Sequence, residues 1–333
     1  MPSVESKSSL ANLTNLLPKL SFSTTLAGLA RHLALPAIGM LIFIMLWHVA
    51  AQNINTSLGK FPGPAQVVEQ ATSLVNEHQA ERQREQAFYE RQHKRNEKKL
   101  AKNPDAKVKI RPYTGAPTFF DQIITSLITV LCGFLLASLI AIPAGIVIGL
   151  NNQLHAAFNP LIQLFKPVSP LAWLPLVTMV VSAVYVSDDP MFAKSFVTSM
   201  ITVSLCSLWP TLLNTSVGVS SISQDLKNVS QVLRLSWYEH VTKIVLPASI
   251  PSVFTGLRLS LGIAWMVLIA AEMLAQNPGL GKFVWDEFQN GSSNSLGRIM
   301  VAVLAIGLIG FLLDRAMLGI QRYVSWDKST ATR

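Results

Sequence analysis

The chain has 333 residues, of which 50% are hydrophobic and only 14% are charged. A soluble domain is about one quarter charged, so this deficit, together with long uncharged runs, excludes a soluble globular protein and indicates a polytopic membrane protein. The net charge of +9 is strong, but basic residues at a membrane surface account for it, and the chain has no nucleic-acid-binding motif.

Six apolar runs that are long enough to cross a bilayer follow one another along the chain. We predict an all-α protein with an N-terminal tail at 1–31, a first transmembrane helix at 32–52 and a loop at 53–118. A transmembrane domain at 119–320 holds the other spans, and 321–333 form a short basic tail. No secretory leader is evident, so the first run is predicted to be a retained span. The six apolar runs are 33–51, 123–150, 161–185, 195–218, 253–275 and 299–320.

The loop after the first span is the most charged part of the chain. It contains the turn GKFPGP at 59–64, and its residues 78–112 mix Glu, Arg, Lys and Gln in a pattern that is typical of a solvated helix. From Lys98 to Lys109 this insertion is more purely basic and is broken by Pro104. It is either an extramembranous insertion stabilised by its own helix pairs, or a docking surface for a partner, or a basic collar that draws an anionic solute inward.

The third predicted span is rich in proline. Pro167, Pro170 and Pro175 lie in KPVSPLAWLP, just after Pro160. Prolines at this density leave backbone carbonyls unpaired, which lipid does not tolerate unless protein or water satisfies them. We therefore expect a broken helix that lines a water-accessible path. Residues 151–160, before this span, are predicted to be a short polar turn.

Metal and redox chemistry have little support in the sequence. Cys132 and Cys206 both lie inside apolar runs and are predicted to be small core residues without a disulfide or metal role. The six histidines are scattered singly, so no metal-ligating set is predicted and a membrane-embedded enzyme is disfavoured.

One polar segment, residues 222–247, separates two strongly apolar runs. Apolar residues from Ile222 to Val232 recur at helical spacing opposite a polar face, and Asp225 lies near a helix start, where a carboxylate favours the helix dipole. The segment is too short and too polar to span a bilayer. We predict a helical hairpin at the membrane surface, by which a soluble partner grips the membrane domain.

The spacing within this hairpin resembles a cytoplasmic motif of ABC-importer permeases: Glu-Ala-Ala, three residues, Gly, nine residues, Ile, one residue, Leu-Pro. Here Asn228-Val229-Ser230 stands at the triplet, Arg234 at the glycine and Ile244-Val245-Leu246-Pro247 at the end. The replacement of glycine by Arg234 predicts that this turn need not take a positive φ. The resemblance implies a coupling helix that contacts an ATPase. Its candidate residues are Asp225, Asn228, Val229, Ser230, Gln231, Arg234, Leu235, Ile244, Leu246 and Pro247.

Flanking segments resemble the nitrate/sulfonate/taurine branch of these permeases over about residues 115–320, and most resemble the nitrate-type permeases. They include KPVSPLAWLPL at 166–176, LWPTLLNT at 208–215 and GLGKFVWDEFQ at 279–289. The resemblance implies a type I ABC importer permease fold with six transmembrane helices in the bacterial inner membrane. Charge distribution favours both termini on the cytoplasmic side. Three predicted spans separate the basic insertion from the coupling hairpin, which places the insertion outside.

The resemblance further implies a permease subunit, not an enzyme, that forms the path for a small anion. Nitrate or nitrite is the first expectation, with sulfonate, taurine, bicarbonate or cyanate as alternatives. The implied partners are two ATPase subunits that use ATP and magnesium, a second permease copy, a periplasmic or lipoprotein solute-binding protein, and membrane lipid. A phosphate-binding loop is missing because Phe283 follows Gly281-Lys282. A secondary carrier or channel without an ATPase is the more remote alternative, and it would not require the coupling hairpin.

Polar residues in or beside the spans are candidates for the substrate path. Hydroxyl and ring N–H groups can donate to anion oxygens or serve helix packing, and Lys166 either attracts an anion or reaches the headgroups. A carboxylate is a poor anion ligand, so Glu272 is expected to pair with a base, cap a helix or repel anions at a gate. Arg258 is predicted to pair with Asp225 or the coupling loop, or to hold a span end at the interface. The path candidates are Lys166, Ser169, Trp173, Thr202, Ser204, Trp265 and Glu272.

Overall fold

A computed structural model of the chain describes residues 22–56, 59–103, 107–186 and 191–324, with side chains from residue 34 onward. The predicted tail residues 1–21 and 325–333 and the loop at 187–190 lie outside this description. The helices are α1 (Phe22–Asn53), α2 (Pro64–Lys102), α3 (Phe119–Leu150), α4 (Asn152–Phe165), α5 (Pro170–Val184), α6 (Lys194–Ser220), α7 (Gln224–Val232), α8 (Trp237–His240), α9 (Leu246–Ala275), α10 (Leu280–Asn290) and α11 (Ser295–Val324).

The described residues up to Ala65 form one compact unit. Helix α1 begins at Phe22, inside the predicted tail, and contains an apolar stretch at Ala34–Asn53 that is long enough to cross a bilayer. A short antiparallel pair follows it, β1 (Asn55–Thr56) and β2 (Gly59–Lys60). The indole N–H of Trp47 donates to the carbonyl of Pro62 at 3.1 Å, which fastens the predicted GKFPGP turn to the end of α1.

The second unit begins at Gln66. Within the described residues, α3, α6, the continuous stretch Trp237–Ala275 and α11 are each long and apolar enough to cross a membrane, as is the stretch in α1. Helices α4 and α5 meet at 99° and make a sixth candidate span when they are taken together. The predicted break in the third span is therefore confirmed, between Phe165 and Pro170.

Several boundaries differ from the prediction. The polar turn expected at 151–160 is wrong: the Asn151 side chain accepts hydrogen bonds from two backbone amides of α4, and this cap starts a helix that runs to Phe165. Residues 276–298, predicted to be a loop, contain α10, because Gly279 and Gly291 delimit an eleven-residue segment with one apolar face. Helix α2 is 39 residues long and begins well before the charged insertion.

Helix α6 is the centre of the second unit, since it packs along both α3 and α9. Small hydroxylated residues let these backbones approach closely, and the Thr211 hydroxyl bonds the Ser260 hydroxyl across the α6–α9 contact at 2.7 Å. Apolar side chains from α3, α6, α9, α10 and α11 fill the main core. Its fully or nearly fully buried members include Val130, Val203, Ala264, Leu268, Leu280 and Ala302.

An ion pair joins the last two long helices. The Arg258 guanidinium on α9 donates to both carboxylate oxygens of Asp314 on α11, at 2.5 and 2.9 Å. The predicted pairing of Arg258 with Asp225 is therefore wrong. A planar guanidinium matches a carboxylate in two parallel bonds, and Asp314 lies on the neighbouring helix, where such a match is possible.

Candidate functional site

The turn after α7 has a left-handed residue. The backbone N–H of Leu235 donates to the Ser230 carbonyl and that of Arg234 to the Gln231 carbonyl, both at 3.1 Å, which is the bonding pattern of a Schellman motif. Arg234 has a φ of 47°. The prediction that this turn avoids a positive φ is therefore wrong. The motif requires the left-handed residue whatever its identity, and an L-residue adopts it at a cost of about 1–2 kcal/mol.

The apolar face of α7 points away from the rest of the protein. Leu226 and Val229 are partly exposed, and Val232 at the end of the helix is 81% exposed. Leu233 in the turn and the adjacent Trp237 and Tyr238 are also exposed. A contiguous apolar patch on a surface element marks an interaction site. We call these six residues the coupling surface: Leu226, Val229, Val232, Leu233, Trp237 and Tyr238.

The turn leads directly into a long helix. The Ser236 hydroxyl and the Glu239 carboxylate form a reciprocal capping box that starts α8. The helix then continues through a π-helical segment, Val241–Val245, into α9 without a break. The Ser230 hydroxyl and the His240 ring lie 2.8 Å apart, which ties α7 to this helix. A displacement of the coupling surface is thus mechanically connected to α9.

The ten coupling candidates divide by exposure. Asp225, Asn228 and Gln231 present polar groups beside the coupling surface, whereas Ser230 is buried and Leu235 partly buried. In the rising helix Ile244 is partly buried, and Leu246 and Pro247 are exposed at the start of α9. The motif residues therefore include both surface groups and groups that hold the turn in shape.

The break between α4 and α5 gathers three of the path candidates. Lys166 is exposed at the end of α4, and Ser169 caps α5 by accepting from the Leu171 amide at 3.3 Å. Trp173 follows one turn later, and its indole N–H is buried without a hydrogen-bond partner among the described residues. Such a donor is costly to bury, so it is available to a bound anion or water.

Trp209 on α6 is a residue that the sequence did not single out as a path candidate. Its ring stacks on Phe165 with a centroid separation of 6.2 Å, and the Trp173 ring lies 6.0 Å from the same phenyl ring. The Trp209 indole N–H is also buried and unpartnered within the described part of the chain. The signal in the sequence was the pair of tryptophans in LAWLP and LWPT, whose proximity required the fold.

Three further path candidates are occupied by internal contacts or are deeply buried. The Thr202 hydroxyl donates to the Thr198 carbonyl at 2.8 Å, and the Trp265 indole N–H donates to the Ile306 carbonyl at 2.9 Å. Ser204 is 4% exposed on α6. This geometry favours packing roles for Thr202 and Trp265, because a single donor that is already bonded has no second proton to offer.

Glu272 is fully buried between α3, α9 and α10. Its carboxylate lies 2.8 and 2.9 Å from the Ser126 hydroxyl and accepts the Gly281 amide at 3.0 Å. The Gly281 amide belongs to the first turn of α10, so the carboxylate caps that helix. A Cβ on Gly279 would lie 2.1 Å from the carboxylate, which explains the glycine. Of the roles considered from the sequence, the contacts favour helix capping.

Comparison with known proteins identifies relatives over most of the chain. Residues 141–325 match the family model described as binding-protein-dependent transport system inner membrane component. The chain is 34% identical over 295 residues to the bicarbonate transport system permease protein CmpB of Synechococcus elongatus, covering 87% of this chain and 88% of that one. It is 30% identical over 290 residues to the nitrate import permease protein NrtB of a Synechocystis species, covering 84% and 85%. The putative aliphatic sulfonates transport permease protein SsuC of Bacillus subtilis is 26% identical over 211 residues, covering 63% and 71%.

Proposed function

Because the chain belongs to the inner membrane components of binding-protein-dependent transport systems, in the branch of nitrate- and bicarbonate-type ABC permeases, we propose that it forms the path for nitrate in an ATP-driven importer. It is a multi-pass protein of the bacterial inner membrane. The observation that carries the coupling role is the exposed apolar surface on α7 and α8. Helix α8 continues through the π-helical segment into α9 without a break. A soluble ATPase subunit that closes on this surface would move α9 as a rigid body.

Bicarbonate is the second candidate, favoured by the relative CmpB. Nitrate and bicarbonate are both planar, singly charged oxyanions, so one permease geometry suits either. The proposed assembly has two permease copies and two ATPase copies, with ATP and magnesium bound by the ATPases and a solute-binding protein outside. Native mass spectrometry of the purified complex measures that stoichiometry, and a single permease copy would contradict it.

We place both termini in the cytoplasm. Three spans separate α2 from α7 when α4 and α5 are counted as one, so the two lie on opposite sides of the membrane. With α7 on the ATPase side, α2 is external.

Deleting the gene tests the substrate. We expect uptake of isotopically labelled nitrate at micromolar concentration to fall to background, while uptake of labelled bicarbonate stays at the wild-type rate. A plasmid copy of the gene restores nitrate uptake. Loss of bicarbonate uptake alone would replace nitrate by bicarbonate as the substrate, and retention of both activities would contradict the proposed function.

We propose that the anion passes the break at 166–169. Lys166 provides positive charge there, and the unpartnered indole groups of Trp173 and Trp209 are donors in the same aromatic cluster. Ser169 and Ser204 stay candidates of lower rank, whereas Thr202 is assigned to the framework because its hydroxyl donates to the Thr198 carbonyl. Glu272 and Trp265 are assigned to the surrounding framework, because their polar atoms are bonded internally.

Phenylalanine substitutions test this path, since they remove the N–H and keep an aromatic ring. Trp173→Phe and Trp209→Phe should each raise the KM for nitrate uptake roughly tenfold, because a hydrogen bond to a charged group contributes about 1.5–3 kcal/mol. The matched control is Trp265→Phe, whose N–H bonds Ile306 and which should leave KM unchanged. An unchanged KM in both path variants would remove the cluster from the path.

A further inference from the structure

The charged insertion is a braced arm. Helix α2 packs Leu74 against Phe119 and Phe283 of the membrane domain. The segment 107–118 returns beside the helix, where the Gln92 side chain bonds both the amide and the carbonyl of Arg111, at 2.8 and 2.9 Å. The Tyr113 hydroxyl donates to Glu81 at 2.7 Å, which raises the pKa of the phenol. We call α2 with this returning segment the arm.

Ion pairs hold the base of the arm to the transmembrane helices. Arg82 of α2 bonds Asp121 in the first turn of α3 at 2.6 Å. Arg298 of α11 bonds Glu77 of α2 and also the buried Glu287 of α10, the latter at 2.7 Å. The arm is therefore attached to three helices of the membrane domain. One of them, α10, is itself capped by Glu272 of α9.

The far end of the arm, residues 91–111, differs from the base because it is rich in basic residues that lack acidic partners among the described residues. We call it the basic tip. In contrast to the cations at the base, none of its described side chains forms an ion pair with a carboxylate, and Glu97 is the one described acid among them. The basic residues of the tip are Arg91, Lys94, Arg95, Lys98, Lys99, Lys102, Lys107, Lys109 and Arg111.

The tip lacks what a membrane-lying helix needs. Between Glu90 and Lys102 the only apolar residues are Leu100 and Ala101, so the helical part of the tip has no apolar face to enter the headgroup region. Lys102 lies twenty residues beyond Arg82 on a continuous helix, or about 30 Å at 1.5 Å per residue. That distance is several Debye lengths at physiological salt, each about 8 Å, so the base charges do not neutralise the end of the tip at Lys102.

From the unpaired charge, the rigid bracing and the missing apolar face, we infer that the basic tip docks an acidic face of the extracytoplasmic solute-binding protein. This inference rests on the proposed importer function. Electrostatic complementarity of this kind raises the association rate and fixes the orientation of docking. The bracing through Arg298 connects the docked protein to α10 and α11.

Charge reversal on the tip tests the inference. The permease–ATPase complex is placed in nanodiscs of zwitterionic phosphatidylcholine, and binding of the nitrate-loaded solute-binding protein of the same importer is measured at 50 and 250 mM salt. Lys98→Glu/Lys102→Glu should weaken binding at least tenfold at the lower salt and flatten the salt dependence. The matched control, Lys60→Glu/Lys194→Glu, makes the same change in net charge at exposed positions outside the tip and should bind within twofold of wild type.

Two further measurements complete the test. A cysteine at Lys102, in a background without Cys132 and Cys206, should react with an impermeant thiol reagent in intact spheroplasts; labelling only after lysis overturns the inference. Wild-type affinity of the charge-reversal variant for the solute-binding protein also overturns the inference. The same holds if this variant loses binding to phosphatidylglycerol vesicles while its binding of the solute-binding protein is unchanged. If any of these results is obtained while nitrate uptake still depends on the gene, the docking role is contradicted and the proposed importer function is not.

Discussion

Val232→Pro is expected to abolish nitrate uptake while the chain still inserts into the membrane. Val232 is the last residue of α7 and lies at the centre of the exposed coupling surface. Proline removes its backbone N–H and clashes with the preceding turn, at a cost of about 3 kcal/mol. The last turn of α7 and the left-handed turn at Arg234 would then lose the geometry that presents the surface. Uptake of labelled nitrate in cells, normalised to the amount of permease in the membrane, measures the effect.

Val232→Ala is the matched control for that substitution. It keeps the helix and removes only two methyl groups from a side chain that is 81% exposed, so the fold loses little buried area. We expect at least half of the wild-type uptake rate. Equal uptake by the proline variant and the alanine variant would show that the shape of this turn is unimportant for transport.

Among the substitutions proposed for this protein, Glu272→Ala should cause the largest loss in the free energy of unfolding. The substitution leaves the Ser126 hydroxyl and the Gly281 amide without their acceptor and opens a cavity at a fully buried position. Each unsatisfied buried donor costs about 1–3 kcal/mol, so we expect a total of about 3 kcal/mol or more. The melting midpoint of the detergent-solubilised protein and its steady-state level in the membrane should both fall.

Two control variants separate this capping role from a general effect of removing acid. Glu272→Gln keeps one acceptor oxygen and most of the volume, so its melting midpoint should lie between those of wild type and Glu272→Ala. Asp286→Ala breaks an exposed ion pair with Lys282 on the same helix, and such pairs contribute at most about 1 kcal/mol. A Glu272→Ala protein as stable as Asp286→Ala would contradict the assigned role.

The sequence predicted those features that follow from composition and local chemistry. Long uncharged runs predicted the spans, and four closely spaced prolines predicted the broken third span, which the structure has between Phe165 and Pro170. The spacing of the 222–247 motif led to a family that the comparisons then confirmed. Some residues of this motif differ from those usual in the family, but the turn is preserved. It keeps its Schellman hydrogen bonds with Arg234 in place of glycine.

Other features depend on contacts between residues that are distant in sequence. Arg258 and Asp314 are 56 positions apart, and Glu272 and Ser126 are 146 apart, so no local pattern could pair them. The proximity of Trp173 and Trp209 to Phe165 likewise required the packing of α4, α5 and α6. Two helix starts that were not predicted have clear local signals. Ser236 and Glu239 have the spacing of a capping box at the start of α8, and Asn151 is a typical helix cap before α4.

Simultaneous measurement of ATP hydrolysis and nitrate transport in proteoliposomes tests the coupling role of α7 most directly. The purified permease–ATPase complex is reconstituted so that the solute-binding protein lies on the side of the membrane that the arm faces. Wild type, Val232→Ala and Val232→Pro are then compared. We expect the solute-binding protein to stimulate ATP hydrolysis and nitrate transport together in wild type and Val232→Ala. We expect Val232→Pro to hydrolyse ATP at an unstimulated rate without transport. Stimulated hydrolysis with wild-type transport in Val232→Pro would contradict the coupling role of α7.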